Sequence, residues 1–62
     1  MNIRLIDFVD RLDNQMAYMT LYINGIRVWD GHASYISGEF ENFLIENISF
    51  DKDQIFVNIM EN

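Results

Sequence analysis

A small α+β domain with the element order αββαββ is the fold that this 62-residue sequence predicts. Three observations predict it. A helical stripe opens the chain, Asn24-Gly25 joins two alternating runs, and a second pair of alternating runs closes it. A four-stranded, mainly antiparallel sheet with the helices packed on one face is the natural packing of such elements. The length leaves room for one domain over residues 1–62 and for no linker.

The first helix is expected between Asn2 and Asn14. Leu5, Phe8, Val9 and Leu12 recur at i, i+3, i+4 and i+7, which is one helical face. Asn2 is its candidate N-cap. Asp7 and Arg11 are four apart and placed to pair. Asp13-Asn14 closes the segment.

The first hairpin carries the strongest local signal. Ala17, Met19, Leu21 and Ile23 alternate with Tyr18, Thr20 and Tyr22, and Ile26 and Val28 alternate with Arg27 and Trp29. Asn-Gly between them calls for a type I′ turn, which needs positive φ at both positions. A regular two-residue turn sets Ile23 against Ile26, Tyr22 against Arg27, Leu21 against Val28 and Thr20 against Trp29. One face is then aliphatic (Met19, Leu21, Ile23, Ile26, Val28). The other carries Tyr18, Tyr22, Arg27 and Trp29, where Arg27 can lie on a ring. Asp30-Gly31 is expected to end the hairpin.

A short second helix is expected to start at Ser37, with Glu39 and Glu41 in its first turn, where the helix dipole favours carboxylates. Phe40, Phe43 and Leu44 form its stripe, and it ends near Glu46-Asn47. In the last hairpin Ile48 and Phe50 flank Ser49, Asp51 to Gln54 form a polar turn, and Ile55, Val57 and Ile59 alternate with Phe56, Asn58 and Met60.

Composition narrows the function classes. A chain of this size buries only about 60% of its unfolded surface, so its margin of stability is thin. With no cysteine there is no disulfide or Cys-based zinc site to help, and a single histidine argues against a His-rich one. Dense packing or self-association remains, and a hydrophobic content of 50% supports packing over disorder. No signal-peptide pattern and no membrane-length apolar run is visible, so a cytoplasmic protein with no membrane contact is expected. The net charge of −6 should repel phosphate backbones and anionic lipids and attract a basic partner. Direct nucleic-acid binding is therefore not expected, although acidity also serves solubility.

Few constellations suggest chemistry. His32, with Asp30 before it and Ser34 and Ser37 after it, has the residue types of a hydrolytic triad. One loop cannot easily align three such groups, and no strained nucleophile turn precedes either serine. Asp51-Lys52-Asp53 resembles the start of a calcium loop, but Phe56 and Asn62 stand where glycine and glutamate are needed. No catalytic residue, metal or cofactor is expected.

Two surfaces stand out instead. Glu39, Glu41 and Glu46 would line the second helix, either as a solvated face or as a docking site for a basic patch. Tyr18, Tyr22, Arg27 and Trp29 combine residue types enriched at interfaces. That aromatic face would be covered by the second helix, form a homodimer seam, or bind another protein.

The run Asn2-Ile3-Arg4-Leu5-Ile6-Asp7-Phe8-Val9 resembles the start of many small acidic phage and prophage proteins of Gram-positive bacteria. The progression from Leu21-Tyr22-Ile23-Asn24-Gly25 to Val28-Trp29-Asp30-Gly31, then Ile48-Ser49-Phe50 and Ile55-Phe56-Val57, is similar to theirs as well. The resemblance implies a setting. Such proteins often inhibit host enzymes, including CRISPR effectors and DNA-repair glycosylases, by masking a nucleic-acid-binding surface. It carries over no functional residue, because Asn24-Gly25 and Asp30-Gly31 are turn residues that carry fold information and no chemistry. The expected function is an anti-CRISPR-like inhibitor of a host protein with a basic surface. The alternatives are a homo-oligomeric scaffold module and a small nucleic-acid-binding protein.

Overall fold

The computed structural model describes residues 2–62. A helix α1 (Leu5–Asp10) is followed by strands β1 (Tyr18–Ile23) and β2 (Ile26–His32). Two single 3-10 turns, Ala33–Tyr35 and Gly38–Phe40, lead to strands β3 (Leu44–Asp51) and β4 (Gln54–Met60). The strand order is β2-β1-β4-β3. Each hairpin is antiparallel, but the central pair, β1 with β4, is parallel. The sheet is therefore mixed, and the expected antiparallel character and αββαββ order both need correction.

The parallel pair explains the loss of the second helix. β2 ends beside the start of β1, and β3 starts beside the end of β4, so residues 33–43 must run the length of the sheet. As a helix they would rise roughly 16 Å, whereas a six-residue strand such as β1 spans roughly 20 Å. Two 3-10 turns in an otherwise extended segment cover the distance. Ser37 does precede the second turn but makes no side-chain capping bond. Leu44 lies in β3 and not on a helical stripe. Phe40 and Phe43 stay together, with ring centroids 5.5 Å apart.

The stripe Leu5, Phe8, Val9 and Leu12 packs as expected, with Leu5 and Val9 buried and the other two against the core. The helix carrying it is shorter than expected, because both ends have other partners. Arg4, not Asn2, is the N-cap and is extended. Backbone bonds Leu5 N–H to Phe43 O (2.8 Å) and Ile45 N–H to Ile3 O (2.9 Å) tie this segment beside the start of β3. At the other end Gln15 Nε2 donates to the Val9 and Leu12 carbonyls at 2.7 and 3.0 Å, replacing a further helical turn. Asp7 pairs with Arg4 at 3.1 Å and not with Arg11, which sits at the C-cap.

Asn24 (φ 53°) and Gly25 (φ 80°) form the expected turn. Ile23 faces Ile26 and Tyr22 faces Arg27, and then the ladder slips. Leu21 faces Trp29 and Thr20 faces Asp30, which leaves Val28 as a β-bulge without a partner. The slip reverses the facing of every later residue. Trp29 joins Leu21 on the core face, and β2 continues through Asp30 and Gly31 to His32. Ile26 is 69% exposed and Val28 is exposed, so neither completes the expected aliphatic face. β3 slips in the same way at Glu46, which places Ile45 in the core and Asn47 on the opposite side.

The core lies between one sheet face and the chain that crosses it. Met19, Leu21, Ile45, Ile55, Val57 and Ile59 form its floor, and Leu5, Val9, Ala33 and Phe40 cover them. Among the described residues no helix is long and apolar enough to cross a membrane.

Candidate interaction face

The opposite sheet face has no helix over it. Cross-strand pairs share a face, so the registers give its rows from β3 to β2. The first row is Asp51, Gln54, Tyr18 and His32. The second is Ser49, Phe56, Thr20 and Asp30. The third is Asn47, Asn58, Tyr22 and Arg27.

An aromatic ridge thus runs along the two central strands, with polar residues on β3 and charges on β2. Tyr22 and Phe56 stack at a tilt, with centroids 6.5 Å apart. Between Tyr18, Tyr22 and Phe56 lies Thr20, only 7% exposed although no other layer covers it. The rings shield it themselves, so the ridge is well packed before any partner arrives. Asn58 Nδ2 donates to Asn47 Oδ1 at 2.7 Å, which fixes the polar flank.

Three of the four aromatic-face residues expected from the sequence lie here: Tyr18, Tyr22 and Arg27. Trp29 does not, because the bulge turns it toward the core. Its ring lies over Gly31, where an added Cβ would come within 3.1 Å of two ring carbons. Arg27 lies against Asp30 at 3.5 Å. Residues three apart on a regular strand point to opposite faces, and the bulge between them makes this pair possible. The expected covering helix does not form, and the turns that replace it contribute Ala33 and Phe40 to the core on the other side.

The three glutamates are not gathered on a helix. Glu39 lies in the second 3-10 turn, Glu41 at its C-terminal cap and Glu46 at the β3 bulge. Among the described residues the ion pairs are Arg4 with Asp7 and Arg27 with Asp30, and none of the three glutamates takes part in them.

The triad ingredients around His32 are not assembled. His32 Nδ1 is 2.7 Å from the Met16 carbonyl, Asp30 is with Arg27, and Ser34 Oγ donates toward Met16 Sδ at 3.6 Å. Asp51 to Gln54 is a tight turn in which Asp51 pairs with Gln54 and Lys52 has φ 57°. Among the described residues no three His, Asp or Glu side chains gather as a metal site would require.

Sequence reasoning missed His32 and Tyr35 as members of an aromatic group. Tyr18 and His32 meet edge-on at 5.9 Å, and His32 and Tyr35 at 6.3 Å. The signal would have been the pairing of Tyr18 with His32, which is invisible without the bulge.

Compared with known proteins, the chain matches no family model, no curated sequence and no solved structure.

Proposed function

We propose that this protein works by binding another protein, with the open aromatic face as its docking surface and a basic surface as its target. The observation that carries the reading is the ridge of Tyr18, Tyr22 and Phe56 on an uncovered face of a chain whose net charge is −6. Half-exposed aromatic rings on a stiff sheet anchor interfaces well, because little side-chain freedom remains to be lost. The excess of unpaired carboxylates steers a cationic partner toward the face and raises its on-rate. Glu39, Glu41 and Glu46 act through the overall field, since none of them stands in the three rows of the face.

In its most concrete form the protein is a phage or prophage inhibitor of a host nucleic-acid-processing or defence protein, of the anti-CRISPR kind. Motif resemblance, small size and acidity support that setting. The test is affinity capture from a Gram-positive host lysate at low and high salt, using wild type, Tyr22→Glu and a Glu39/Glu41/Glu46 charge-reversal variant. The expected result is a basic nucleic-acid-processing protein retained by wild type at low salt and lost at high salt. Tyr22→Glu should lose it, and the charge reversal should weaken it. Equal retention by all three proteins refutes the reading.

A homodimer through the same ridge is the second reading. It is favoured by the exposure of Tyr18 and Met60 (40% and 46%) on one face of a marginal fold. It predicts a dimer mass in solution for wild type and a folded monomer for Tyr22→Glu. A monomeric wild type at high concentration excludes it.

A further inference from the structure

The end of the sheet where β1 begins and β2 finishes is closed by three further contacts. Ala33 N–H donates to Ala17 O at 2.8 Å and Ser34 N–H to Gln15 O at 2.9 Å, which extends the hairpin ladder beyond its strands. The third tie is the His32 ring. A carbonyl can only accept, so the short contact between Nδ1 and Met16 O requires the hydrogen on Nδ1. The neutral imidazole is thereby fixed in one tautomer, and its Nε2 is left as an acceptor on an exposed side chain.

Two tyrosines flank this ring. Tyr18 meets it at 85° and Tyr35 at 72°, and their exposures are 40% and 68%. Tyr18 lies on β1 and Tyr35 follows the tied Ser34, so the backbone beneath the rings is set before any ligand arrives. The nearest charge along the face is the Asp30 carboxylate, which pairs with Arg27. Asp30 is on the next row, and Asp51 stands at the far end of the His32 row. Arg27 is a row further away, against Asp30.

We propose that Tyr18, His32 and Tyr35 form a binding site for an arginine side chain of the partner protein. The guanidinium plane stacks on a tyrosine face, as planar cations do. One of its N–H groups donates to His32 Nε2. The chain's net charge of −6 supplies the charge complement at longer range, since Asp30 is already paired with Arg27. This inference rests on the proposed basic partner and names the contact by which the face would hold it.

The test uses L-arginine amide as probe and L-norleucine amide at equal ionic strength as control, followed by proton shifts of the aromatic rings. The expected result is saturable shifts confined to Tyr18, His32 and Tyr35, with arginine amide only. Tyr35→Ala and His32→Phe should each weaken the apparent Kd by about two- to fivefold, the range for an exposed cation–aromatic contact. Tyr35 is outside the core, so its variant remains informative even if loss of the Met16 bond unfolds the histidine variant. Shifts spread equally over Tyr22 and Phe50, or unchanged affinity in Tyr35→Ala, overturn the site. If arginine amide fails here while lysate capture still depends on Tyr22, the site is wrong and the docking face stands. If arginine amide binds here as expected and capture fails, the site stands and the broader function does not.

Discussion

Replacing Gly31 by alanine tests the bulge and its consequence for Trp29 in one step. The new Cβ would lie 3.1 Å from both Cη2 and Cζ2 of the indole, closer than ordinary contact. The backbone there has φ +154°, a region where an L side chain is strained. Overpacking of this kind costs about 1–3 kcal/mol. The usual gain of about 0.4–1 kcal/mol from a stiffer unfolded chain is cancelled where φ is incompatible. A net loss of about 1–3 kcal/mol is expected. At about 4–8 °C per kcal/mol for a domain this small, the melting temperature should fall by roughly 4–24 °C. The chain has a single tryptophan, so its emission reports the ring directly and should shift to the red as the indole is lifted off the strand. The double variant Trp29→Phe/Gly31→Ala should cost less than the sum of the single changes, because Phe lacks the two crowding atoms. An alanine variant with unchanged melting temperature and emission would refute both the ring position and the bulge that puts it there.

Gln15→Ala should destabilise by about 1–2 kcal/mol in urea unfolding, since two carbonyls at the end of α1 lose their donor. Lys52→Gly should raise stability by up to about 1 kcal/mol, because glycine occupies φ 57° without the steric penalty a lysine carries there. Asp7 is held below its ordinary carboxylate range, first by the hydrogen bond from Arg4, with the charges of Arg4 and Arg11 adding and burial opposing. A carboxyl lowered in the folded state stabilises above its unfolded pKa, and that contribution is lost as pH falls through the folded value. The urea-midpoint difference between wild type and Asp7→Asn should therefore be present near neutral pH and vanish in strong acid.

Local chemistry was legible in the sequence, and long-range pairing was not. Asn24-Gly25 specifies its turn through two φ angles, and the Leu5 to Leu12 stripe specifies a face, so both could be read directly. The parallel β1–β4 pair joins residues 36 apart, such as Tyr18 and Gln54, and no local propensity encodes it. Phe40, Phe43 and Leu44 mislead because three residues at i, i+3 and i+4 suit one helical turn and equally a 3-10 turn running into a strand. Tyr18 and Tyr22 lie on β1, which carries no extra residue, so alternation places them correctly. Trp29 follows the bulge in β2 and is misplaced. The His32 group escapes notice because the imidazole is oriented by a backbone carbonyl 16 residues away.

The positions of the two bulges bear on how the protein behaves at high concentration. Both fall on the edge strands, at Val28 in β2 and Glu46 in β3. The central pair β1–β4 runs in unbroken register. An edge strand with regular spacing is a template on which further chains can stack into fibrils, and an extra residue spoils that spacing. Val28 and Glu46 therefore act as end-stops against polymerisation. Deleting Val28 would give β2 an even edge beside the exposed Ile26, and the expected outcome is thioflavin-positive fibrils from the deletion variant and none from the intact chain under the same conditions.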